Sequence, residues 1–225
     1  MDPHKLRMRH SSVTCDWRTP PALVLALRNY VGGYAFSFDL AADAQSAICT
    51  DYLGPGSSWG ENALAVDWAA LPPNDDGRRC GFLNPPYSLT AIKELREQGV
   101  PPDDPRICAL RIESWAEKAF NESLQRFTTI GVFPYAPQTK WFREYVMGHT
   151  RTPVIADFPD IGQVRMDWRG HAALDYWRLP HRVPFLRADG SPAGGANVNT
   201  CIIHWGPNPG FVGPWVPSGK YWSYR

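Results

Sequence analysis

Stretches with helical spacing alternate with short apolar runs through most of the chain. Apolar residues recur as on one face of a helix over 20–30, 90–98, 114–126 and 138–147. Short apolar or alternating runs predict strands over 34–40, 63–68, 80–83, 106–112, 128–133, 154–158, 182–186 and 200–205. Strands that alternate with helices are typical of an α/β sheet with right-handed crossovers, so we expect this fold class.

The length of the chain predicts a single domain. Its 225 residues, 44% of them apolar, suffice for one full core but are short for two complete domains. We place this domain at 1–205, followed by an irregular tail at 206–225 that is rich in Pro, Gly and Trp. The longest apolar runs fall far short of a bilayer span, and the N-terminal residues lack an apolar signal region. We therefore expect no membrane association and a cytoplasmic location.

Cysteine and histidine spacing gives no indication of a disulfide framework or a metal site. The five cysteines are scattered without a C-x-x-C pair, and the six histidines show no ligand spacing. We expect reduced, mostly buried cysteines and no metal.

Charge is unevenly distributed, although the net charge is only +1. Residues 19–77 contain Arg28 as their one basic residue against seven acids, whereas the chain from Arg111 onward has 13 basic and 9 acidic residues. An acidic first half suits a ligand with a cationic centre and hydroxyl groups, and a basic second half suits a polyanion. An ordinary solvated surface explains the same distribution equally well.

The tetrapeptide Asn84-Pro85-Pro86-Tyr87 follows a predicted strand and suits methylation of a planar amino nitrogen. Such an amine is a poor nucleophile until acceptors bind its N–H bonds and localise its lone pair. The Asn84 side-chain oxygen and the Pro85 carbonyl are candidate acceptors, two prolines stiffen the loop, and Tyr87 offers a stacking face. The competing interpretation is an Asn-Pro turn that ends a strand, in a chain with 22 prolines.

Four segments, in order along the chain, carry a resemblance to a known family. They are Asp16-Trp17-Arg18-Thr19-Pro20-Pro21, Phe38-Asp39-Leu40-Ala41-Ala42-Asp43, Asn84-Pro85-Pro86-Tyr87 and Thr139-Lys140-Trp141-Phe142. In this order they resemble the phage-type, Dam-like N6-adenine DNA methyltransferases. A weaker fifth match is His181-Arg182-Val183-Pro184-Phe185, in which His181 replaces the family's usual glycine. The resemblance spans about 16–205, with an apparent insertion at about 89–112.

The resemblance implies an S-adenosylmethionine-dependent enzyme with a seven-stranded Rossmann-like sheet flanked by helices and an irregular C-terminal elaboration. The implied substrate is adenine N6 in double-stranded DNA, flipped out of the stack into the tetrapeptide pocket. The target-contacting region would lie within 135–200, and a phage-encoded enzyme would act in the bacterial host cytoplasm. The implied catalytic residues are Asn84, Pro85, Pro86 and Tyr87. The implied cofactor-binding residues are Trp17, Thr19, Pro20, Asp39, Ala41, Asp43 and Asp67. The implied substrate-binding residues are Lys140, Trp141, Phe142 and Arg182.

Several of these residues also have ordinary structural interpretations. Thr19 suits the N-cap of the first helix, Asp43 suits a turn or cap, and Asp67 an exposed loop. Trp141 and Phe142 suit either the target pocket or the core.

Three other functions remain open on the residues alone. The tetrapeptide suits the adenine of RNA or a protein glutamine amide equally well. The glycine-free loop Ala41-Ala42 leaves room for a catalytically silent DNA-binding module with the same fold.

Overall fold

The computed structural model describes residues 17–33, 35–75, 77–148, 154–158, 162–166, 173, 175–179, 183–193 and 199–207. The helices are α1 (Pro21–Tyr30), α2 (Leu89–Glu97), α3 (Pro105–Cys108), α4 (Ile112–Leu124) and α5 (Lys140–Tyr145), with a 3-10 helix at Trp68–Ala70. The strands are β1 (Phe38–Asp39), β2 (Cys80–Leu83), β3 (Thr128–Pro134), β4 (Val154–Phe158), β5 (Gly162–Met166), β6 (Asp175–Arg178) and β7 (Thr200–Trp205).

One mixed sheet organises the described residues. Its five strands have the order β1-β2-β3-β7-β6, and β4 pairs with β5 in a separate two-stranded sheet. β1, β2 and β3 are parallel, whereas β7 runs antiparallel to both β3 and β6. The carboxyl ends of β1, β2 and β3 therefore lie at one edge of the sheet, where parallel α/β sheets bind ligands.

Helices cover both faces of this sheet. On β3, Val132 belongs to the core cluster that includes Leu27 of α1, whereas Phe133 belongs to the cluster that includes Ala116 of α4 and Phe142 of α5. Alternate side chains of the same strand are thus buried on opposite faces, as expected for an α/β sheet. The predicted fold class is confirmed at this level.

Two predicted strands are wrong. Residues 63–68 form turns that lead into the 3-10 helix, and the indole Nε1 of Trp68 donates to the carbonyl oxygen of Ala63 at 2.9 Å. Residues 106–112 begin instead with α3, because Pro105 suits a first helical turn and the Asp104 side chain accepts from the Arg106 backbone N–H at 2.9 Å. Both segments have buried apolar residues without strand pairing.

Other boundaries also differ from the predictions. The strand predicted at 34–40 is shorter in the structure, where it comprises only Phe38–Asp39. Strands β5 and β6 were not predicted. The strand predicted at 182–186 is also wrong over its described residues, because 183–185 lie outside regular elements and Leu186 forms only isolated bridges, one of them with Arg18. The described residues give a sheet of five strands where the resemblance implied seven. Helix α1 begins at Pro21 with Pro20 in the N-cap position, so Thr19 lies one residue before the cap.

The remaining general expectations concern cysteines and membrane spans. Cys80 and Cys201 are buried, Cys49 and Cys108 are half-buried, and all four are free thiols; Cys15 lies outside the described residues. Within the described part of the chain, every helix is too short or too polar to span a membrane.

The C-terminal end of α4 places a non-glycine residue in the left-handed region. The N–H groups of Arg126 and Phe127 donate to the carbonyl oxygens of Ser123 and Glu122 at 3.0 and 3.1 Å, which is the Schellman pattern. This pattern requires a left-handed residue after the helix, and Arg126 supplies it with φ of 67°. Glycine takes this conformation without the steric cost that Cβ imposes.

We expect Arg126→Gly to raise the free energy of unfolding by about 0.5 to 1 kcal/mol, because relief of the left-handed strain exceeds the added entropy of the unfolded chain. Urea denaturation of parent and variant measures the difference. Arg126→Ala is the control, since it removes the charge but keeps Cβ. An equal gain in the alanine variant would show that strain is not the cause.

Candidate functional site

A cavity of about 550 Å³ lies at the carboxyl edge of β1 and β2. Its volume is in the range of small-molecule sites. Three of the predicted segments meet there. Seven predicted site residues line it: Trp17, Thr19, Asp39, Ala41, Asp43, Asn84 and Pro86.

Asn84 joins two of these segments directly. Its Nδ2 donates a hydrogen bond of 3.1 Å to the carbonyl oxygen of Trp17. Since the amide group is planar, this bond fixes the orientation of the side chain and leaves Oδ1 as its acceptor atom. Pro86 forms part of the wall, whereas Pro85, which is buried, and Tyr87, which is half-buried, are not among the lining residues.

The segment around Trp17 is held by residues late in the chain. The backbone N–H of Arg18 donates to Leu186 at 2.8 Å, and that of Leu186 donates back at 3.0 Å. The Trp17 ring stacks on Phe185 with centroids 5.6 Å apart. The segment 183–186, although not a strand, therefore positions the predicted cofactor-binding residue Trp17.

Asp39 is the most strongly perturbed acid of the cavity. It is 3% exposed, and its two carboxylate oxygens accept hydrogen bonds from the backbone N–H groups of Ala41 at 3.3 Å and Ile48 at 3.1 Å. Burial raises the pKa of Asp39 to about 6, against the lowering effect of these two bonds. The carboxylate therefore becomes fully ionised only above this pH. A cation bound in the cavity would favour the ionised form of Asp39.

Asp43 has a turn role as well as a place in the cavity wall. Its Oδ1 accepts from the backbone N–H groups of Gln45 at 2.9 Å and Ser46 at 2.8 Å. Partial burial alone raises the pKa of Asp43, but these hydrogen bonds outweigh it and lower the pKa below the usual value. Asp43 is thus an ionised carboxylate at neutral pH.

The segment 51–54 runs beside the loop after β1. The backbone N–H of Leu53 donates to Asp39 at 2.8 Å, and that of Ala42 donates to Leu53 at 3.0 Å. Gly54 has φ of 141°, and a Cβ at this position would lie 2.0 Å from the Ala42 carbonyl oxygen. The absence of a side chain at Gly54 therefore lets the two backbones approach each other.

Other predicted site residues lie outside the cavity wall. Pro20 is the N-cap of α1, and Asp67 caps the 3-10 helix by accepting from the Ala69 N–H at 3.1 Å. Trp141 and Phe142 are buried in the core, the second of their two interpretations, and exposed Lys140 pairs with Glu144 at 3.7 Å. Arg182 lies outside the described residues.

Sequence reasoning missed part of the cavity wall. Further lining residues come from the predicted insertion and from the turn before the 3-10 helix: Pro105, Arg106, Ala109, Leu110, Glu61 and Asn62. The pair Asp104-Pro105, which is typical of a helix start, was the available indication that 106–112 is not a strand. Within the described residues, no cluster of His, Cys, Asp and Glu has the arrangement of a metal site.

The sheet and the cavity define a class of protein. A mixed α/β sheet with a ligand-sized cavity beyond its parallel strand ends is typical of α/β proteins that bind a small molecule at that edge. The family model for DNA N-6-adenine-methyltransferase (Dam) matches residues 8–203, which is most of the chain. The chain therefore belongs to this family, and the family's activity is methylation of adenine N6 in DNA. The resemblance carried by the ordered motifs is confirmed. Neither a curated protein nor a solved structure matches the chain.

We expect Gly54→Ala to disrupt this wall of the cavity, because its Cβ collides with a backbone oxygen that has little freedom to move. Gly56→Ala is a matched control, since Gly56 also has a positive φ, of 79°, but its Cβ would meet only the Tyr52 hydroxyl at 3.8 Å. The free energy of unfolding should fall by about 1 to 3 kcal/mol more for Gly54→Ala than for Gly56→Ala. Equal losses of stability in the two variants would mean that backbone strain, and not the close approach to Ala42, accounts for the effect of Gly54→Ala.

Proposed function

We propose that this chain transfers a methyl group from S-adenosylmethionine to N6 of an adenine flipped out of duplex DNA. The observation that carries the proposal is the meeting of three predicted segments in one cavity, with Asn84 hydrogen-bonded to Trp17. Membership in the family of DNA N6-adenine methyltransferases supports the reaction and the substrate. We assign the methyltransferase domain to 1–205, with a Rossmann-like cofactor half, and the parallel pairing of β1, β2 and β3 supports this assignment.

The residues on one side of the cavity fit a cationic cofactor. Asp39 and Asp43 place two carboxylates in the wall beside Trp17, whose ring offers an additional face to a cation. The basic lining residues Arg18 and Arg106 have acidic neighbours, since Arg18 lowers the pKa of Asp43 and Arg106 donates two hydrogen bonds of 2.9 Å to Asp104. When bound, S-adenosylmethionine supplies an electrophilic methyl group on a sulfonium.

The residues after β2 activate and hold the acceptor. Asn84 Oδ1 and the Pro85 carbonyl accept the two N–H bonds of the adenine amine and localise its lone pair on nitrogen. The hydrogen bond from Asn84 Nδ2 to Trp17 fixes this acceptor relative to the segment that binds the cofactor. Orientation of the two reactants supplies most of the rate, and the proton of the methylated amine leaves to solvent.

Tyr87 stacks on the flipped base. Removing a base from the duplex stack costs a few kcal/mol, and aromatic stacking returns about 1–3 kcal/mol. Tyr87 is half-buried and directly follows Pro86, which lines the cavity, and this position in the chain supports the stacking role. The basic residues Lys140 and Arg182 are proposed phosphate contacts, whereas burial in the core gives Trp141 and Phe142 a supporting role.

We expect Asn84→Ala to lower the rate of methyl transfer by about 100-fold or more, because one preorganised acceptor is removed. Incubation with radiolabelled S-adenosylmethionine and unmethylated duplex DNA, followed by digestion to nucleosides, measures label in N6-methyldeoxyadenosine. Asn121→Ala is the control, since Asn121 is exposed on α4. Absence of label with the parent chain, or full activity of Asn84→Ala, would refute the proposal.

Cofactor affinity should rise with pH around the pKa of Asp39. Because burial raises this pKa from 3.8 to about 6, the carboxyl group is protonated at pH 5 and ionised at pH 7 in the free protein. A cationic cofactor favours the ionised form, so its Kd should fall by up to about tenfold per pH unit below the pKa. Calorimetric titration with S-adenosylmethionine between pH 5 and 7.5 measures this dependence.

Asp39→Asn should abolish this pH dependence, whereas Asp75→Asn, at an exposed loop residue, should retain it. Parallel profiles of the parent and Asp39→Asn would exclude Asp39 as the titrating group. A rise in pH affects stability in the opposite direction from cofactor affinity. Since the folded chain binds the Asp39 proton more tightly than the unfolded chain, the contribution of Asp39 to stability falls as pH rises from about 4 to about 6.

A further inference from the structure

Leu89 is a large apolar side chain left in solvent at the start of α2. It is 86% exposed, the highest value among the exposed large hydrophobic residues that the structure describes. The position is well fixed, because the Ser88 hydroxyl accepts from the Ala91 N–H at 3.1 Å and the Ser88 N–H donates to Leu110 at 3.3 Å. An ordered helix start thus presents an apolar group without a partner in the described core.

The place of Leu89 in the fold is close to the proposed adenine pocket. β2 ends at Leu83 at the cavity edge of the sheet, and Pro86 lines the cavity. Leu89 follows Pro86 by three residues, so their Cα atoms are at most about 11 Å apart. The opposite edge of the sheet has a similar exposed leucine, Leu124, which precedes the amino end of the parallel strand β3.

Two cations lie near Leu89 on the exposed part of α2, which also carries two exposed acids, Glu94 and Glu97. Lys93 and Arg96 follow at helical positions i+4 and i+7, whereas Ala91, Ile92 and Leu95 are buried against α3. Lys93 pairs with Glu97 at 3.7 Å, but both side chains are well exposed, at 78% and 65%. Such an exposed pair contributes little to stability, so a contact between Lys93 and a phosphate would cost little of it.

We propose that this face of α2 docks on duplex DNA and that Leu89 fills the space vacated by the flipped adenine. The inference rests on the proposed function and adds a positioning residue to it. Apolar wedges between base steps are a general means of holding DNA in an unstacked state. Lys93 and Arg96 contact the phosphates that flank the step, which gives the segment 89–110 a role in DNA binding.

Single-turnover methylation of a duplex oligonucleotide tests the wedge. The adenine that the parent chain methylates is first located by sequencing methylated DNA. Two duplexes that contain this adenine are then compared: in one it is paired with thymine, and in the other it lies opposite an abasic site. Leu89→Ala should lower the rate on the paired duplex by about tenfold or more. It should recover most of this loss opposite the abasic site, where flipping is easier. Leu89→Met, which keeps an apolar side chain of similar size, should remain close to the parent.

Leu124→Ala is the matched control and should leave both rates unchanged. An unchanged rate for Leu89→Ala on the paired duplex would overturn the proposal. An equal loss on both duplexes would also overturn it, since a folding defect does not depend on pairing. A parent chain that does not methylate DNA would overturn the proposed function itself, and the wedge with it.

The salt dependence of DNA affinity tests the two cations separately. Removal of one cation that binds a phosphate should reduce the slope of log Kd against log salt concentration by about 1. Lys93→Gln and Arg96→Gln should each show this reduction in fluorescence anisotropy titrations of a labelled duplex, and Arg126→Gln at the opposite edge should not. Slopes equal to the parent's would overturn docking through this face.

Discussion

The parallel pairing of β1 with β2 is the constraint on which the cavity depends. Its register sets Asp39 opposite Phe82, so the loop after β1 and the loop after β2 leave the sheet side by side. Gly81 permits this pairing, because a Cβ at that position would lie 2.5 Å from Leu40 Cδ1. A carboxylate and an amide that are 45 positions apart in the chain thereby line one cavity.

A second set of contacts ties this edge to both ends of the domain. Asn84 binds the carbonyl of Trp17, and Trp17 stacks on Phe185 while Arg18 pairs with Leu186. The acceptor geometry of Asn84 therefore depends on residues on both sides of it in sequence. A substitution near Phe185 is therefore expected to change the position of Trp17 and Asn84, although few residues of that segment line the cavity.

The sequence predicted the strands and helices whose patterns are both local and strong. β2, β3 and β7 are short, largely apolar runs and α4 has a long amphipathic pattern, so the predictions of these elements were correct. Residues 63–68 and 106–112 have similar apolar content, but their burial comes from turns and short helices, which periodicity does not distinguish from strands. The ordered motifs also predicted Trp17, Thr19, Asp39 and Asn84, and all four line the cavity. The role of Gly54 was not predictable, because it depends on a backbone that approaches from another segment.

The segment 89–110 contains none of the motifs of the family, and the role proposed for it comes from its position in the fold. Its small core of Ile92, Leu95, Ile107 and Leu110 is separate from the two clusters of the sheet. That core keeps one side of the segment packed and places Arg106 and Leu110 in the cavity wall. The exposed side of α2 has Leu89 at its start, followed by the cations Lys93 and Arg96 and the acids Glu94 and Glu97. Because α2 starts two residues after Tyr87, a duplex that presented its adenine to Asn84 as proposed would pass close to this side of the helix.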